Sequence, residues 1–305
     1  MTCGEVTALT KQHKADLLLV MITAFWGASY FLTDVCLGEL PPLCLNALRF
    51  LVAFAVLAVI YFRRLRNISR RTWLYSFLIA CSLTLVYTCY GFGLPLTSIS
   101  NAGFICALPV IFTPLLELLL YRKKPNRRFA VALVLCTIGL ALMTLGDTFR
   151  PALGDIICMG TALFYAVDLL LTDRAVHDPQ VDPLQLGVCQ LGITGAIMLL
   201  LTLLLEEPQL PQSPQVWGAA LFLAVFCTGI AFVIQAVQQQ YTTASHVGLI
   251  FTLEPLFSAI VAYFFAHEVL GVRGYVGAAL MMLSLVLMEL DIGALFQKLC
   301  KKTVS

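Results

Sequence analysis

Ten stretches of mostly apolar residues follow one another along the chain with only short polar or proline-rich breaks between them. They read as segments 17–36, 43–62, 73–93, 99–121, 129–146, 154–172, 184–205, 216–237, 246–266 and 274–292, with ends uncertain by about two to four residues. A helix that crosses a bilayer needs about 20 such residues. Unpaired backbone groups are not tolerated in hydrocarbon, so each segment must be a helix or a strand of a closed barrel. No period-two alternation runs through the segments, which removes the barrel. Hydrophobic residues make up 60% of the chain and charged residues 12%, where a soluble domain carries about 25% charged residues. This excludes a soluble globular enzyme, a disordered chain and a coiled coil. A net charge of +2 offers no basic field for nucleic acid.

The cations set the orientation. With the N-terminus inside, sixteen of the nineteen Lys and Arg residues fall on the inner side. These are Lys11 and Lys14, the five within 63–71, the five within 122–128, Arg174, and Lys298, Lys301 and Lys302. Arg150 and Arg273 fall outside and Arg49 within a span. The positive-inside rule then places both termini in the cytoplasm. A multi-pass protein of a bacterial inner membrane is expected, as a monomer or weak dimer in the lipid bilayer. The apolar run from Leu17 to Cys36 is long enough to span and has no small-residue cleavage site, so it reads as the first helix. The eleven cysteines lie mostly one by one in apolar runs, without zinc spacing, and read as small packing residues.

The segments repeat. Phe25-Trp26-Gly27-Ala28-Ser29-Tyr30-Phe31-Leu32-Thr33-Asp34 parallels Phe164-Tyr165-Ala166-Val167-Asp168-Leu169-Leu170-Leu171-Thr172-Asp173. Pro42-Leu43-Cys44-Leu45 parallels Pro183-Leu184-Gln185-Leu186, which sets Arg49 opposite Gln190. Ser100 to Pro109 parallels Ser245 to Pro255 with one extra residue. Five helices per copy is an odd number, so the second copy enters the membrane from the opposite side. Inverted repeats of this kind characterise secondary transporters, whose substrate site lies between the repeats near the midplane.

On these residues the chain resembles the drug/metabolite transporter superfamily, in its ten-helix form with two EamA-type domains. The similar parts are Phe25-Trp26-Gly27-Ala28-Ser29, Arg49 early in the second helix, Leu253-Glu254-Pro255-Leu256-Phe257, and His267-Glu268 followed by Gly277. Lys123 departs from the pattern at the place corresponding to Glu268. The resemblance implies an all-α integral membrane fold with two inverted five-helix repeats, residues 15–146 and 152–292, and a cytoplasmic tail, 293–305. It further implies a small-molecule carrier, commonly an exporter of amino acids or related metabolites.

Charges at depth are costly, about 2.5–3.5 kcal/mol each on insertion scales, and are therefore functional candidates. Glu254 sits about 12 Å into its helix, beside Pro255, which removes a backbone donor. It reads either as a proton-coupling site or as a packing lock between helices. Arg49 can grip an anionic group bidentately, pair with Glu254, or snorkel to the outer interface. Asp168 replaces Ser29 of the other copy and can bind an ammonium, carry a proton, or bond a neighbouring helix. Trp26, Tyr30, Tyr87, Tyr90, Asn101, Tyr165, Gln190, Gln235 and Thr252 complete the candidate substrate site, each with ordinary packing as its alternative. Gly187, Gly192 and Gly195 are expected to allow close helix approach.

The function expected is secondary transport of a small organic metabolite, an amino acid or related zwitterion or amine, by alternating access with proton coupling. An uncoupled facilitator or exchanger is the alternative. An intramembrane enzyme is disfavoured, because His13, His177, His246 and His267 are dispersed and no nucleophile is paired with a base. Neither metal nor cofactor is expected, and GxxxxGK[ST] is absent, which excludes pumping by the chain's own ATP hydrolysis.

Overall fold

Proline opens helix after helix. Pro42, Pro109, Pro183 and Pro214 each stand in the first turn of a helix, where a missing N–H costs nothing. Polar side chains satisfy other free donors: Asp182 accepts from the N–H groups of Leu184 at 2.9 Å and Gln185 at 3.3 Å, and Ser213 accepts from Val216 at 3.2 Å. These are sequence-local signals, and the helices begin where they stand.

The computed structural model describes residues 3–93, 96, 105–122, 125–144, 153–266 and 271–289, with the side chains of 3–10, 144, 262, 266, 288 and 289 left aside. Asn101, Lys123, His267, Glu268 and the segment 293–305 lie outside the described residues. In order the helices are α1 (Cys3–Leu37), α2 (Pro42–Ile60), α3 (Arg70–Gly93), α4 (Pro109–Tyr121), α5 (Arg127–Thr144), α6 (Leu153–Val176), α7 (Pro183–Leu205), α8 (Pro214–Gln239), α9 (Ala244–Phe265) and α10 (Val272–Glu289). No strand occurs among the described residues. Seven helices there are long and apolar enough to cross a membrane: α1 over Lys11–Leu37, α2, α3, α6, α7, α8 and α9. Helices α4 and α10 carry shorter apolar stretches.

The helices pack in pairs: α2 on α7, α3 on α6, and α5 on α10. Helix α1 lies against α8 and α9, α4 against α6 and α9, α3 also against α7, and α2 also against α8. Leu19, Ile22, Phe50, Ile79, Leu83, Leu169, Leu186 and Leu191 fill the centre. Large apolar side chains also face outward, Val59 79% and Leu204 69% exposed among them. Apolar side chains on both faces suit hydrocarbon surroundings. At the α5–α10 contact a Cβ on Gly139 would lie 2.6 Å from the Gly277 carbonyl oxygen, so only glycine permits that approach.

Three irregularities interrupt the bundle. Helix α9 breaks at Thr252 and Leu253, just before Glu254-Pro255. Ahead of α4 the chain turns in the same way at Ala107 and Leu108, just before Pro109. Helix α8 widens into a π-helical stretch over Leu223–Ile230.

Candidate functional site

Side chains three and four apart share a helix face, and three such stripes converge. Trp26, Ser29, Tyr30, Thr33 and Leu37 form one on α1; Pro42, Leu45, Asn46 and Arg49 form the second on α2; Leu83, Val86, Tyr87, Tyr90 and Gly91 form the third on α3. With Thr161 and Tyr165 of α6 and Phe232 of α8 they enclose a cavity of about 190 Å³. Both pre-proline breaks reach its wall, through Cys106 before α4 and Glu254 in α9. The cavity runs from the level of Trp26 and Arg49 to the α1–α2 junction at Leu37 and Pro42, about 16 Å along α1 at 1.5 Å per residue.

Aromatic rings form its floor. The Trp26 ring lies 4.7 Å from Phe251, 5.6 Å from Phe232 and 6.4 Å from Tyr165, centroid to centroid. Tyr165 stacks on Phe251 with the planes 8° apart. The Trp26 indole N–H donates to the Cys227 carbonyl at 2.8 Å. Next to it, Gly27 lets the second half of α9 come close, since a Cβ there would meet Phe257 and lie 2.8 Å from the Ser258 nitrogen.

Arg49 is 4% exposed and does not reach the outer interface. Its Nε donates to Thr228 Oγ1 at 2.8 Å, and its Cζ stands 5.4 Å from the Tyr87 ring centroid and 5.8 Å from that of Phe50. Those distances are within cation–π range. Glu254 is hydrogen-bonded to the Tyr30 hydroxyl and feels the Arg49 charge. Among the described residues the cavity therefore presents one cation and one carboxylate inside a wall of mainly aromatic, aliphatic and small polar side chains.

Of the residues singled out from sequence, Trp26, Tyr30, Arg49, Tyr87, Tyr90, Tyr165 and Glu254 meet at the cavity. Asp168, Gln190, Gln235 and Thr252 are buried off its wall. Thr252 donates to the Leu249 carbonyl at 2.6 Å and sits 3.0 Å from the Cys136 sulfur. Asp168 is 1% exposed, within electrostatic reach of Tyr165 and Tyr87, and its Oδ1 has no hydrogen-bond partner among the described residues. A carboxylate so placed is expensive to keep charged. Ser29, Thr33 and Asn46 were not anticipated, although their spacing from Trp26 and Arg49 marks them. Thr228 was also missed, and nothing near it in sequence points to Arg49. No group of three or more His, Cys, Asp or Glu residues that could hold a metal occurs among the described residues.

At the opposite end of the bundle, side chains of different helices pair. Asp16 Oδ1 of α1 stands 3.2 Å from His246 Nε2 of α9, both buried. The neighbouring Ser245 hydroxyl donates to the Glu117 carboxylate of α4.

The sequence profile of the EamA-like transporter family matches the chain twice, over residues 13–145 and 152–290. A protein of Archaeoglobus fulgidus named "Uncharacterized transporter" is 25% identical over 284 residues, 92% of this chain and 88% of its own length. A namesake from Methanothermobacter thermautotrophicus is 26% identical, covering 87% of this chain and 83% of its own. "Uncharacterized transporter YwfM" of Bacillus subtilis is 24% identical, covering 89% and 93%. One solved crystal structure is similar with a TM-score of 0.78 at 18% sequence identity, covering 90% of this chain and 96% of that one.

Proposed function

The chain belongs to the EamA-like transporter family, and from that premise we propose a secondary carrier for a small zwitterionic metabolite of the amino-acid class. It is a multi-pass membrane transporter rather than an enzyme. The observation that carries the cargo class is the placement of Arg49 and Glu254 in one aromatic cavity. A guanidinium receives a carboxylate bidentately, while a carboxylate and aromatic faces receive an ammonium. Export is the direction implied by the resemblance.

Ten crossing helices arranged as two inverted five-helix repeats are the architecture of this reading. It is supported by the packing, because adding five to each helix number exchanges the more extensive of the observed pairs. The α3–α6 contact becomes α8–α1, α3–α7 becomes α8–α2, and α4–α6 becomes α9–α1, while α2–α7, α4–α9 and α5–α10 map onto themselves. The matching breaks before Pro109 and Pro255 support it as well, since interrupted helices mark midplane sites in inverted-repeat transporters. With the arginine-rich connections inside, both termini are cytoplasmic, the cavity opens outward, and the Asp16–His246 end faces the cytoplasm. Glu254 and Asp168 are the proton carriers of this mechanism, Glu254 exchanging its proton with the cavity as access alternates.

Counterflow in proteoliposomes tests it, with the twenty common L-amino acids supplied as a mixture and read by mass spectrometry. The wild type is expected to exchange at least one of them, and Arg49→Ala to abolish that exchange. Glu254→Gln is expected to keep exchange and lose the drive from a pH gradient. Undiminished pH-driven uptake by Glu254→Gln would overturn the coupling role of Glu254; no exchange by the wild type would overturn the cargo class.

A further inference from the structure

The π-helical stretch of α8 lies across both α1 and α2. In such a turn the hydrogen-bond ladder shifts to five residues, and single π turns gather at functional sites. Two consecutive residues of this stretch make three contacts to the other helices. The Cys227 carbonyl accepts the Trp26 indole N–H at 2.8 Å. The Cys227 thiol reaches the Phe25 carbonyl at 3.2 Å. Thr228 Oγ1 accepts the Arg49 Nε–H at 2.8 Å. Residues 227 and 228 of one helix thus fix the cavity-lining Trp26 of a second and Arg49 of a third.

The hold on Arg49 is selective in its chemistry. A guanidinium carries five N–H donors in one plane. Thr228 takes the Nε–H, at the stem of the fork, and the Tyr87 ring lies 5.4 Å from Cζ. The terminal nitrogens, the pair that matches a carboxylate, make no hydrogen bond among the described residues, and Arg49 lines the cavity. Released from Thr228, the flexible side chain could turn its fork to Glu254, whose charge it already feels, and the two would neutralise each other.

We infer that Thr228 is the positioning residue for Arg49, keeping the guanidinium fork turned to the cavity and so setting selection for a carboxylate-bearing cargo. This rests on the reading that Arg49 receives the anionic group of the cargo. Thr228→Val keeps the volume and removes the hydroxyl; Thr228→Ser keeps the hydroxyl. Two measurements on the purified full chain separate the claims. The first follows the Arg49 Nε–H signal by NMR with ¹⁵N-arginine, identified by its loss in Arg49→Lys. That signal is expected to be protected from water exchange in wild type and Thr228→Ser and unprotected in Thr228→Val. The second uses the counterflow mixture of twenty L-amino acids. Thr228→Val is expected to raise the half-saturation concentration about tenfold, the size of one hydrogen bond to a charged group, with the maximal rate held within about twofold. Thr228→Ser is expected to restore it. Protection that persists in Thr228→Val, or an unchanged half-saturation concentration, overturns the inference. Should the wild type exchange no amino acid while the NMR pattern holds, the cargo reading fails and the positioning of Arg49 by Thr228 stands.

Discussion

The carboxylates that bridge distant segments of the chain take different partners at the two ends of the bundle. At the arginine-rich end, Asp16 meets His246 and Glu117 meets Ser245, so side chains of α1 and α4 are both tied to the first turn of α9. At the cavity mouth the carboxylates serve backbone instead. Glu206 accepts from the Leu43 and Cys44 N–H groups at 3.1 and 2.9 Å. Glu39 accepts from those of Gln212 and Ser213 at 2.8 and 3.2 Å. The mouth contacts fasten the α1–α2 and α7–α8 connections to each other without spanning the cavity. In the proposed mechanism the side-chain bonds at the Asp16–His246 end join helices that part when access alternates. Two side-chain contacts thus tie helices together at one end, while contacts to backbone frame the mouth at the other.

That contrast can be broken most forcefully at the buried pair. Asp16→Ala or His246→Ala leaves one polar partner stranded, and each is expected to lower stability in detergent by about 3 kcal/mol. The double variant is expected to cost less than the sum of the two, because the contact is already lost in either. Strictly additive losses in thermal or denaturant unfolding would show that the two groups do not act as a unit.

A smaller effect is expected from single hydrogen bonds at the two ends, about 1–2 kcal/mol each for Ser245→Ala and Glu206→Ala. Their consequences for function should differ. Ser245→Ala is expected to loosen its end and to raise thiol labelling, from that side in sealed vesicles, of a cysteine placed at the buried Val247, relative to the same cysteine beside Ser245. Glu206→Ala is expected to lower the melting temperature and leave this labelling unchanged. Equal labelling with and without the Ser245 hydroxyl would remove that contact from the ties at its end.

The smallest effect lies at Glu39. The Ser213 side chain, with the Gln212 N–H, holds its carboxyl below the usual carboxylate range. A lowered folded-state value means that the contribution is present above the unfolded value and fades as pH falls through the folded one. The melting temperatures of wild type and Glu39→Gln are expected to differ slightly near neutrality and to converge in acid, below about pH 4. A gap that widens on acidification would contradict the assignment.

Much of the fold was legible from local pattern. Apart from the starts of α1, at Cys3 rather than 17, and of α4, at Pro109 rather than 99, the described helices coincide with the apolar segments to within a few residues, because Pro42, Pro183 and Pro214 can start a helix but not continue one. Trp26 and Tyr30, and separately Tyr87 and Tyr90, were recognisable as stripes because their spacing matches the helical period. Asp168 and Gln190 were drawn into the site by their repeat positions opposite Ser29 and Arg49, and Gln235 by its polarity. Whether a buried polar side chain faces a cavity or a neighbouring helix depends on the rotation of its helix, and a helix apolar on all faces leaves that rotation unmarked.

Sequence alone determined that the chain spans a membrane and carries one family domain twice, since hydrocarbon admits only internally satisfied backbone and a repeat is visible wherever its residues recur. Tertiary structure alone decided that Thr228 holds Arg49 across 179 positions of chain and that Asp16 finds His246. Period and propensity act within a segment, through backbone geometry shared by near neighbours. Partner choice between apolar helices comes from many weak contacts summed over whole surfaces, and no single stretch of sequence carries that sum.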